Sequence, residues 1–114
     1  MLVVLVVDDE PGVRRLLDIV LNQPGWVVRD APDAETALRM VEEIDPDVVL
    51  TDVRLPGMDG TQLAEQIRND GHHHHAQVIL MSAYGKPRRV PSGTFLPKPF
   101  DLDNVIQTVR SYEH

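Results

Sequence analysis

Five polar side chains stand at or just after the ends of short apolar runs: Asp8, Asp9, Asp52, Ser82 and Lys98. Three carboxylates packed together repel one another, and a divalent cation would relieve that repulsion. Carboxylate and carbonyl oxygens favour a hard ion such as Mg²⁺. A lysine offers a compact positive charge to a phosphoryl oxygen, and an aspartate can accept a phosphoryl group as an acyl phosphate. The set can therefore hold and accept a phosphoryl group if the fold brings it together.

The elements that must position these residues alternate along the chain. Residues 2–7 are apolar without alternation and rich in β-branched side chains, which is typical of a central parallel strand covered on both faces. Similar apolar runs predict further strands at residues 26–28, 48–52, 78–81 and 94–96. Apolar residues at helical spacing predict four helices that include residues 13–21, 34–44, 63–67 and 102–109. Asp101 is the predicted cap of the last one.

This alternation predicts a doubly wound α/β fold, because parallel strands need right-handed crossovers that place helices on both faces of the sheet. In such folds the functional site forms outside the carboxyl ends of the strands, near the point where the strand order switches. The five polar residues lie at or just past predicted strand ends. The fold and the residue chemistry therefore indicate the same edge of the sheet independently.

Composition limits the function classes. The chain has 114 residues, of which 42% are hydrophobic and 25% are charged, and this predicts a single globular domain. The net charge of −7 argues against a general nucleic-acid or anionic-membrane surface. The absence of cysteine excludes disulfides and thiolate metal sites. The longest apolar run, residues 2–7, is far too short to span a bilayer, so we expect a soluble cytoplasmic protein.

Four stretches of the chain resemble the receiver domains of two-component response regulators: residues 6–10, 50–60, 81–83 and 96–100. The resemblance covers the whole chain, so residues 1–114 are expected to be a single receiver domain. It implies a flavodoxin-like sheet of five parallel strands in the order 2-1-3-4-5. It also implies a phosphorylation-controlled switch in a phosphorelay rather than an ordinary enzyme, one that takes part in its own phosphorylation and dephosphorylation.

The resemblance assigns a role to each acid of the cluster. Asp52 is expected to be the phospho-acceptor. Asp9 is expected to bind Mg²⁺ directly and Asp8 to assist through water. Asp52 itself and the backbone carbonyl of Arg54 would complete the metal site. The expected phosphoryl donor is a sensor histidine kinase or a small phosphodonor.

The remaining matched residues are expected to respond to the phosphoryl group. Ser82 and Lys98 would hold its oxygens, and Phe95 would change rotamer with phosphorylation. The resemblance implies a cis peptide bond between Lys98 and Pro99. The expected receivers of the signal are a downstream protein or an output domain, with a homodimer as a further possibility. Neither direct binding of nucleic acid nor contact with a membrane is expected.

The chain departs from the family in two places. The segment between Ser82 and Phe95 is several residues short and lacks the apolar stripe of a fourth helix, so that helix is expected to be shortened or missing. Residues 72–75 are four histidines, which we interpret as an exposed loop that binds Zn²⁺ or Ni²⁺ adventitiously.

Arg54 and Tyr84 occupy the variable positions that flank the phosphosite, where bulky side chains would slow the attack of water.

Two other functions remain open from the sequence. The first is a phosphorylation-independent binding module that docks a partner through residues 84–93. The second is a Mg²⁺-dependent phosphatase with an aspartyl nucleophile. Such enzymes need a second acid two residues after the nucleophile, and Arg54 stands at that position.

Overall fold

The computed structural model describes residues 1–72, 75–85 and 95–113, and five parallel strands form its sheet. The strands are β1 (Leu2–Val7), β2 (Trp26–Ala31), β3 (Val48–Asp52), β4 (Gln77–Ser82) and β5 (Phe95–Pro97). Their order across the sheet is β2-β1-β3-β4-β5, and every neighbouring pair is parallel. The predicted doubly wound sheet with strand order 2-1-3-4-5 is confirmed.

The described residues contain four helices: α1 (Pro11–Val20), α2 (Ala34–Ile44), α3 (Gly60–Asn69) and α4 (Leu102–Arg110). Pro11 starts α1 at a position where its missing N–H costs nothing. Asp33, Asp59 and Asp101 cap the other three helices, because each carboxylate accepts a hydrogen bond from the backbone N–H three residues further on. The cap predicted at Asp101 is confirmed. No helix among these ranges is long and apolar enough to cross a membrane.

Two hydrophobic clusters lie on opposite faces of the sheet. One joins the sheet to α1 and α4 through buried residues: Leu17, Leu21, Val105 and Val109. The other joins it to α2 and α3 through smaller side chains: Ala34, Ala37, Val41, Leu63, Ala64 and Ile67. The interior strand β1 supplies alternate residues to the two clusters, Val4 and Val6 to the first and Leu5 and Val7 to the second. Burial on both faces explains why its sequence has no polar alternation.

The strand and helix ends differ from the sequence predictions in several places; β4, for example, is one residue longer at each end than the predicted 78–81. β2 extends to Ala31 rather than ending at Val28, because an edge strand accommodates polar side chains such as Arg29 and Asp30. β5 runs from Phe95 to Pro97, one residue beyond the predicted end at Leu96, and Thr94, its predicted first residue, lies outside the described residues. α1 ends at Val20 although its apolar stripe includes the fully buried Leu21, which caps the helix.

Two sequence predictions lie wholly or partly outside the described residues. The conformation of residues 86–94, most of the altered segment, is one of them. The four helices found in the rest of the chain fit the predicted shortening of the fourth helix of a full alternation. The other is the histidine run, of which residues 73 and 74 are outside the described ranges.

Candidate functional site

Lys98 lies between two carboxylates that come from different strands. Its Nζ is 2.7 Å from Asp8 Oδ2 and 3.5 Å from Asp52 Oδ2. Asp8 is fully buried, Asp52 is 8% exposed, and 13% of the Lys98 side chain is exposed. Buried carboxylates need a positive partner, and here one ammonium group serves two of them. The structure therefore brings together the two acids and the lysine that the sequence placed at separate strand ends.

The register of the sheet explains how distant residues meet. Ser82 at the end of β4 pairs with Pro97 at the end of β5. The backbone N–H of Lys98 then donates a hydrogen bond to the Ser82 carbonyl at 2.9 Å. The Lys98–Pro99 peptide bond is cis, as the resemblance implied. Asp52 ends β3, which lies on the other side of β4 from β5. The Lys98 side chain, which follows β5, therefore reaches past the end of β4 to the Asp52 carboxylate.

The electrostatics of the site favour additional positive charge. Burial is the largest cause of the raised pKa of Asp52; the Lys98 charge opposes it, while the charges of Asp8 and Asp9 add to it. The pKa of Lys98 is also raised: burial lowers it, but the hydrogen bond and charge of Asp8, together with Asp52, outweigh burial. A cation bound beside Asp52 would stabilise its ionised form and lower its pKa.

The residues that could hold a metal ion form a compact acidic group. Carboxylate oxygens of Asp8, Asp9 and Glu10 all lie within 4.8 Å of one another. Asp8 uses one oxygen for Lys98 and accepts a hydrogen bond from the Glu10 backbone N–H at 2.9 Å with the other. Asp9 and Glu10 are exposed. An all-oxygen donor set with accessible members fits Mg²⁺, which keeps several of its waters. Sequence reasoning did not assign Glu10, although it directly follows the predicted pair.

Gly60 is a second residue that sequence reasoning missed. It begins α3, and its backbone N–H donates to the Val53 carbonyl at 2.8 Å. A Cβ at this position would lie 2.1 Å from the backbone oxygen of Asp52. The start of α3 thus rests directly on the end of β3, and only a glycine permits that approach. The capping box formed by Asp59 and Gln62 fixes the same turn.

Ser82 and its neighbours connect the β3 and β4 ends of the site. Ser82 is buried, and its hydroxyl accepts a hydrogen bond from the Tyr84 backbone N–H at 3.0 Å. The exposed Tyr84 ring stacks on the Arg54 guanidinium, whose Cζ is 4.0 Å from the ring centroid. Accepting that bond leaves the Ser82 O–H available to donate. Arg54 and Tyr84 therefore form a bridge at the mouth of the site.

Phe95, the expected switch residue, lies at the start of β5 and is half-buried. It packs against the cluster beneath α2 and α3, whose partly buried members include Val53, Leu55 and Met58. These three residues belong to the chain segment that follows Asp52. Phe95 and that segment therefore pack against the same hydrophobic cluster.

Sequence comparisons agree with this arrangement. A family model described as the response regulator receiver domain matches residues 4–110. Sporulation initiation phosphotransferase F from Bacillus subtilis (strain 168) is 34% identical over 115 residues, covering 96% of this chain and 91% of that protein. Regulatory protein AtoC from Escherichia coli (strain K12) is 38% identical over 108 residues. That match covers 90% of this chain and 23% of the longer protein.

Solved structures share the same architecture. A putative response regulator from Chloroflexus aurantiacus J-10-fl superimposes with a TM-score of 0.88 at 28% identity, covering 96% of this chain and 95% of that chain. The receiver domain from the hybrid histidine kinase CckA gives a TM-score of 0.83 at 33% identity, covering 98% of this chain and 99% of that one. Both similarities span the strands and helices that carry the acidic pocket.

Proposed function

The chain belongs to the response regulator receiver domain family, and on that premise we propose that it accepts a phosphoryl group on Asp52 in a Mg²⁺-dependent reaction. The observation that carries this proposal is the position of Lys98, with its ammonium group 2.7 Å from Asp8 and 3.5 Å from Asp52. The Lys98 ammonium group contacts two buried acids, so it could also bind the oxygens of a phosphoryl group carried by Asp52. The proposal treats residues 1–114 as one receiver domain.

The reaction is an in-line displacement at phosphorus. An ionised Asp52 oxygen attacks the phosphorus of the donor, an O–P bond forms, and the bond from phosphorus to the leaving group breaks. The electron pair of the broken bond goes to the leaving group, which is the imidazole of a histidine kinase or the acetate of acetyl phosphate. The attack needs the carboxylate form, so the raised pKa of Asp52 makes the reaction sensitive to acid.

Asp9 and Glu10 would hold the metal together with the backbone carbonyl of Arg54, and Asp8 would support it from its position on Lys98. When bound by these residues, Mg²⁺ would supply positive charge that offsets the charge developing on the phosphoryl oxygens and lowers the pKa of Asp52. The proposal adds Glu10 to the set because its carboxylate lies within the same group of oxygens. It keeps Asp52 as both acceptor and contributor to the metal site.

Lys98 and Ser82 would bind the phosphoryl oxygens once the group is on Asp52. Lys98 needs only a small movement, because it is already within 3.5 Å of the Asp52 carboxylate. Ser82 would donate through its O–H, since its accepting position is taken by Tyr84. These two side chains sit on adjacent chain segments joined by a backbone hydrogen bond at 2.9 Å, so they would move together.

The conformational change that follows phosphorylation would be transmitted to a partner through Phe95 and the surface near β5. A phosphoryl group adds strong negative charge and acceptor oxygens, which reorders the loops that bind it. Phe95 and the segment after Asp52 pack against the same hydrophobic cluster, through which a rearrangement at Asp52 would reach the Phe95 ring. We propose a downstream protein or an output domain as the recipient and the cytoplasm as the location. A phosphorylation-dependent homodimer is compatible with the same mechanism.

Incubation with acetyl phosphate tests the proposal. The intact protein should gain the mass of one phosphoryl group only when Mg²⁺ is present, and Asp52→Asn should abolish the gain. Asp59→Asn is the matched control, because Asp59 caps α3 nearby and should leave labelling intact. Labelling that persists in Asp52→Asn, or that needs no divalent cation, would refute the mechanism. Absence of labelling together with partner binding would support the phosphorylation-independent module.

A further inference from the structure

The Arg14 guanidinium connects the acidic pocket to the edge of the sheet. Its Nη1 donates a hydrogen bond to the backbone carbonyl of Asp8 at 2.8 Å. Its Nε lies 3.5 Å from Asp30 Oδ1, and 19% of the Arg14 side chain is exposed. A planar guanidinium presents several donors in a fixed geometry, so one side chain can hold both groups. Arg14 thus holds the backbone of the residue that binds Lys98.

Two carboxyl groups face this guanidinium from different elements. Asp18 lies four residues after Arg14 on α1, so the two side chains share one side of the helix. Asp30 lies on β2 two residues after Val28, which packs on the α1 side of the sheet, so strand alternation points Asp30 toward α1. Asp18 and Asp30 are therefore neighbours, although they are remote in sequence.

The surroundings of Asp18 indicate that it carries a proton. Asp18 Oδ1 is buried and accepts no hydrogen bond from the part of the chain that the structure describes. Burial raises the pKa of Asp18 to about 7, with further contributions from the hydrogen bond to Asp30 and the Asp30 charge, whereas Arg14 lowers it. Two ionised carboxylates cannot hydrogen-bond to each other, because both are acceptors. A proton on Asp18 supplies the donor that a hydrogen bond between the two carboxyl groups needs.

We propose that Asp18 and Asp30 share one proton, and that this proton keeps Arg14 bound to the Asp8 carbonyl as a positioning residue for the phosphosite. With the proton in place, one negative charge faces the guanidinium. Without it, two carboxylates compete for Arg14 against a neutral carbonyl oxygen, and charged acceptors bind a guanidinium more strongly. Loss of the proton therefore draws Arg14 away from Asp8.

The other elements near α1 supply few charged groups that could make the contact between Arg14 and Asp8 depend on pH. β1, the other strand beneath α1, has no titratable side chain between Leu2 and Val7. The charged residues of α4, which borders the same hydrophobic cluster, are the exposed Asp103 and Arg110. Asp30 and Arg14 are the charges that act on Asp18. The proton-sharing pair and Arg14 therefore behave as one unit between the sheet edge and the pocket.

The consequence is a dependence of the pocket on pH near neutrality. Asp8 binds Lys98 through its side chain and Arg14 through its carbonyl, so release of Arg14 loosens the backbone that presents Asp8. The effect on phosphorylation rests on the function proposed above. The shared proton and the Arg14 contact do not, and they can be tested in protein without metal or phosphodonor.

A nuclear magnetic resonance titration of the metal-free protein tests the shared proton. The carboxyl carbon of Asp18 should titrate near pH 7, and the Arg14 Nε–H signal should shift with the same midpoint. In Asp30→Asn the Asp18 midpoint should fall but stay above the ordinary value of 3.8, because the contribution of Asp30 is lost while burial, the largest cause, remains. The proposal would be overturned if Asp18 in the unaltered protein titrated with a midpoint near 3.8, or if the Arg14 Nε–H signal did not shift as Asp18 titrates.

The positioning role has a separate readout in the pH profile of labelling by acetyl phosphate with Mg²⁺. The labelling rate should fall as the pH rises through 7, and Asp18→Asn, which mimics the protonated form, should remove that fall. Asp103→Asn on the exposed side of α4 should keep the profile of the unaltered protein. A profile unchanged in Asp18→Asn would disprove the positioning role. If no variant is labelled at all, the function proposed above fails, and the titration still decides the shared proton.

Discussion

Substitution of Gly60 by alanine tests whether contact between α3 and β3 fixes the position of Asp52. The added Cβ would lie 2.1 Å from the Asp52 carbonyl oxygen, 3.0 Å from its carbonyl carbon and 3.0 Å from Val53 Cα. All three atoms belong to the backbone, so no side-chain rotation can relieve the collision. The strain expected in Gly60→Ala comes from this close approach and not from the backbone conformation, because Gly60 is not among the positive-φ glycines.

The size of the effect follows from the displacement required. Ordinary contacts begin at 3.4 Å, so the start of α3 and the end of β3 must separate by about 1.3 Å. That movement stretches the 2.8 Å hydrogen bond from Gly60 to Val53. Overpacking against a fixed backbone lies at the upper end of the usual range, about 3 kcal/mol. For a domain of this size that loss lowers the Tm by about 12 °C.

The displacement should also reach the chemistry, because Asp52 would move relative to Lys98. A misplacement of about 1 Å can reduce a reaction rate by a factor of about 100, so we expect labelling of Gly60→Ala by acetyl phosphate to slow by more than tenfold. Gly12→Ala is the matched control: Gly12 lies in the first turn of α1 with nothing within 4 Å of its Cβ position. It should gain about 0.5 kcal/mol of stability by restricting the unfolded chain. If Gly60→Ala melted and reacted like Gly12→Ala, the close contact would have no role.

Three further outcomes are expected. Lys98→Met should destabilise the metal-free protein by about 3 kcal/mol in urea unfolding, because it leaves the buried Asp8 carboxylate without the lysine ammonium group; adding Asp8→Asn should recover most of the loss. Mg²⁺ at ten times its Kd should raise the free energy of unfolding by about 1.4 kcal/mol, and Asp9→Asn should weaken that response. Arg54→Ala should accelerate loss of the phosphoryl group several-fold by opening the Arg54–Tyr84 bridge to water, which a dephosphorylation time course would measure; an unchanged rate would remove that role.

The sequence predicted the parts of the site that lie at strand ends. Apolar runs that stop at a polar residue mark those ends, and the parallel order of the sheet converts them into neighbours. Asp8, Asp52 and Lys98 come together for this reason, with Lys98 Nζ 2.7 Å from Asp8 Oδ2 and 3.5 Å from Asp52 Oδ2. The cis bond at Lys98–Pro99 came from the family resemblance, because a single X–Pro pair does not reveal its isomer.

The residues that were missed act through contacts that local patterns do not record. Gly60 looks like an ordinary helix-start glycine until the distance to the Asp52 carbonyl is known. Arg14 and Asp18 look like the solvated side of an amphipathic helix, and Asp30 looks like the residue that ends a short strand. Only the register of β2 against β1 shows that Asp30 faces α1. Such groups become visible when two elements that are far apart in sequence pack together.

The charge balance of the pocket connects its stability to its chemistry. Two buried acids share one lysine, and the lysine is closer to Asp8 than to Asp52, so the acceptor is the less compensated of the two. Burial raises the pKa of Asp52, and the charge of Lys98 only partly opposes that shift, so the fold disfavours the ionised form and loses stability at neutral pH. A bound cation compensates the same charge and restores the ionised acceptor. The ionised form of Asp52 is therefore least favoured when no cation is bound, and under the proposed mechanism the ion that assists the reaction would also favour the reactive form of Asp52.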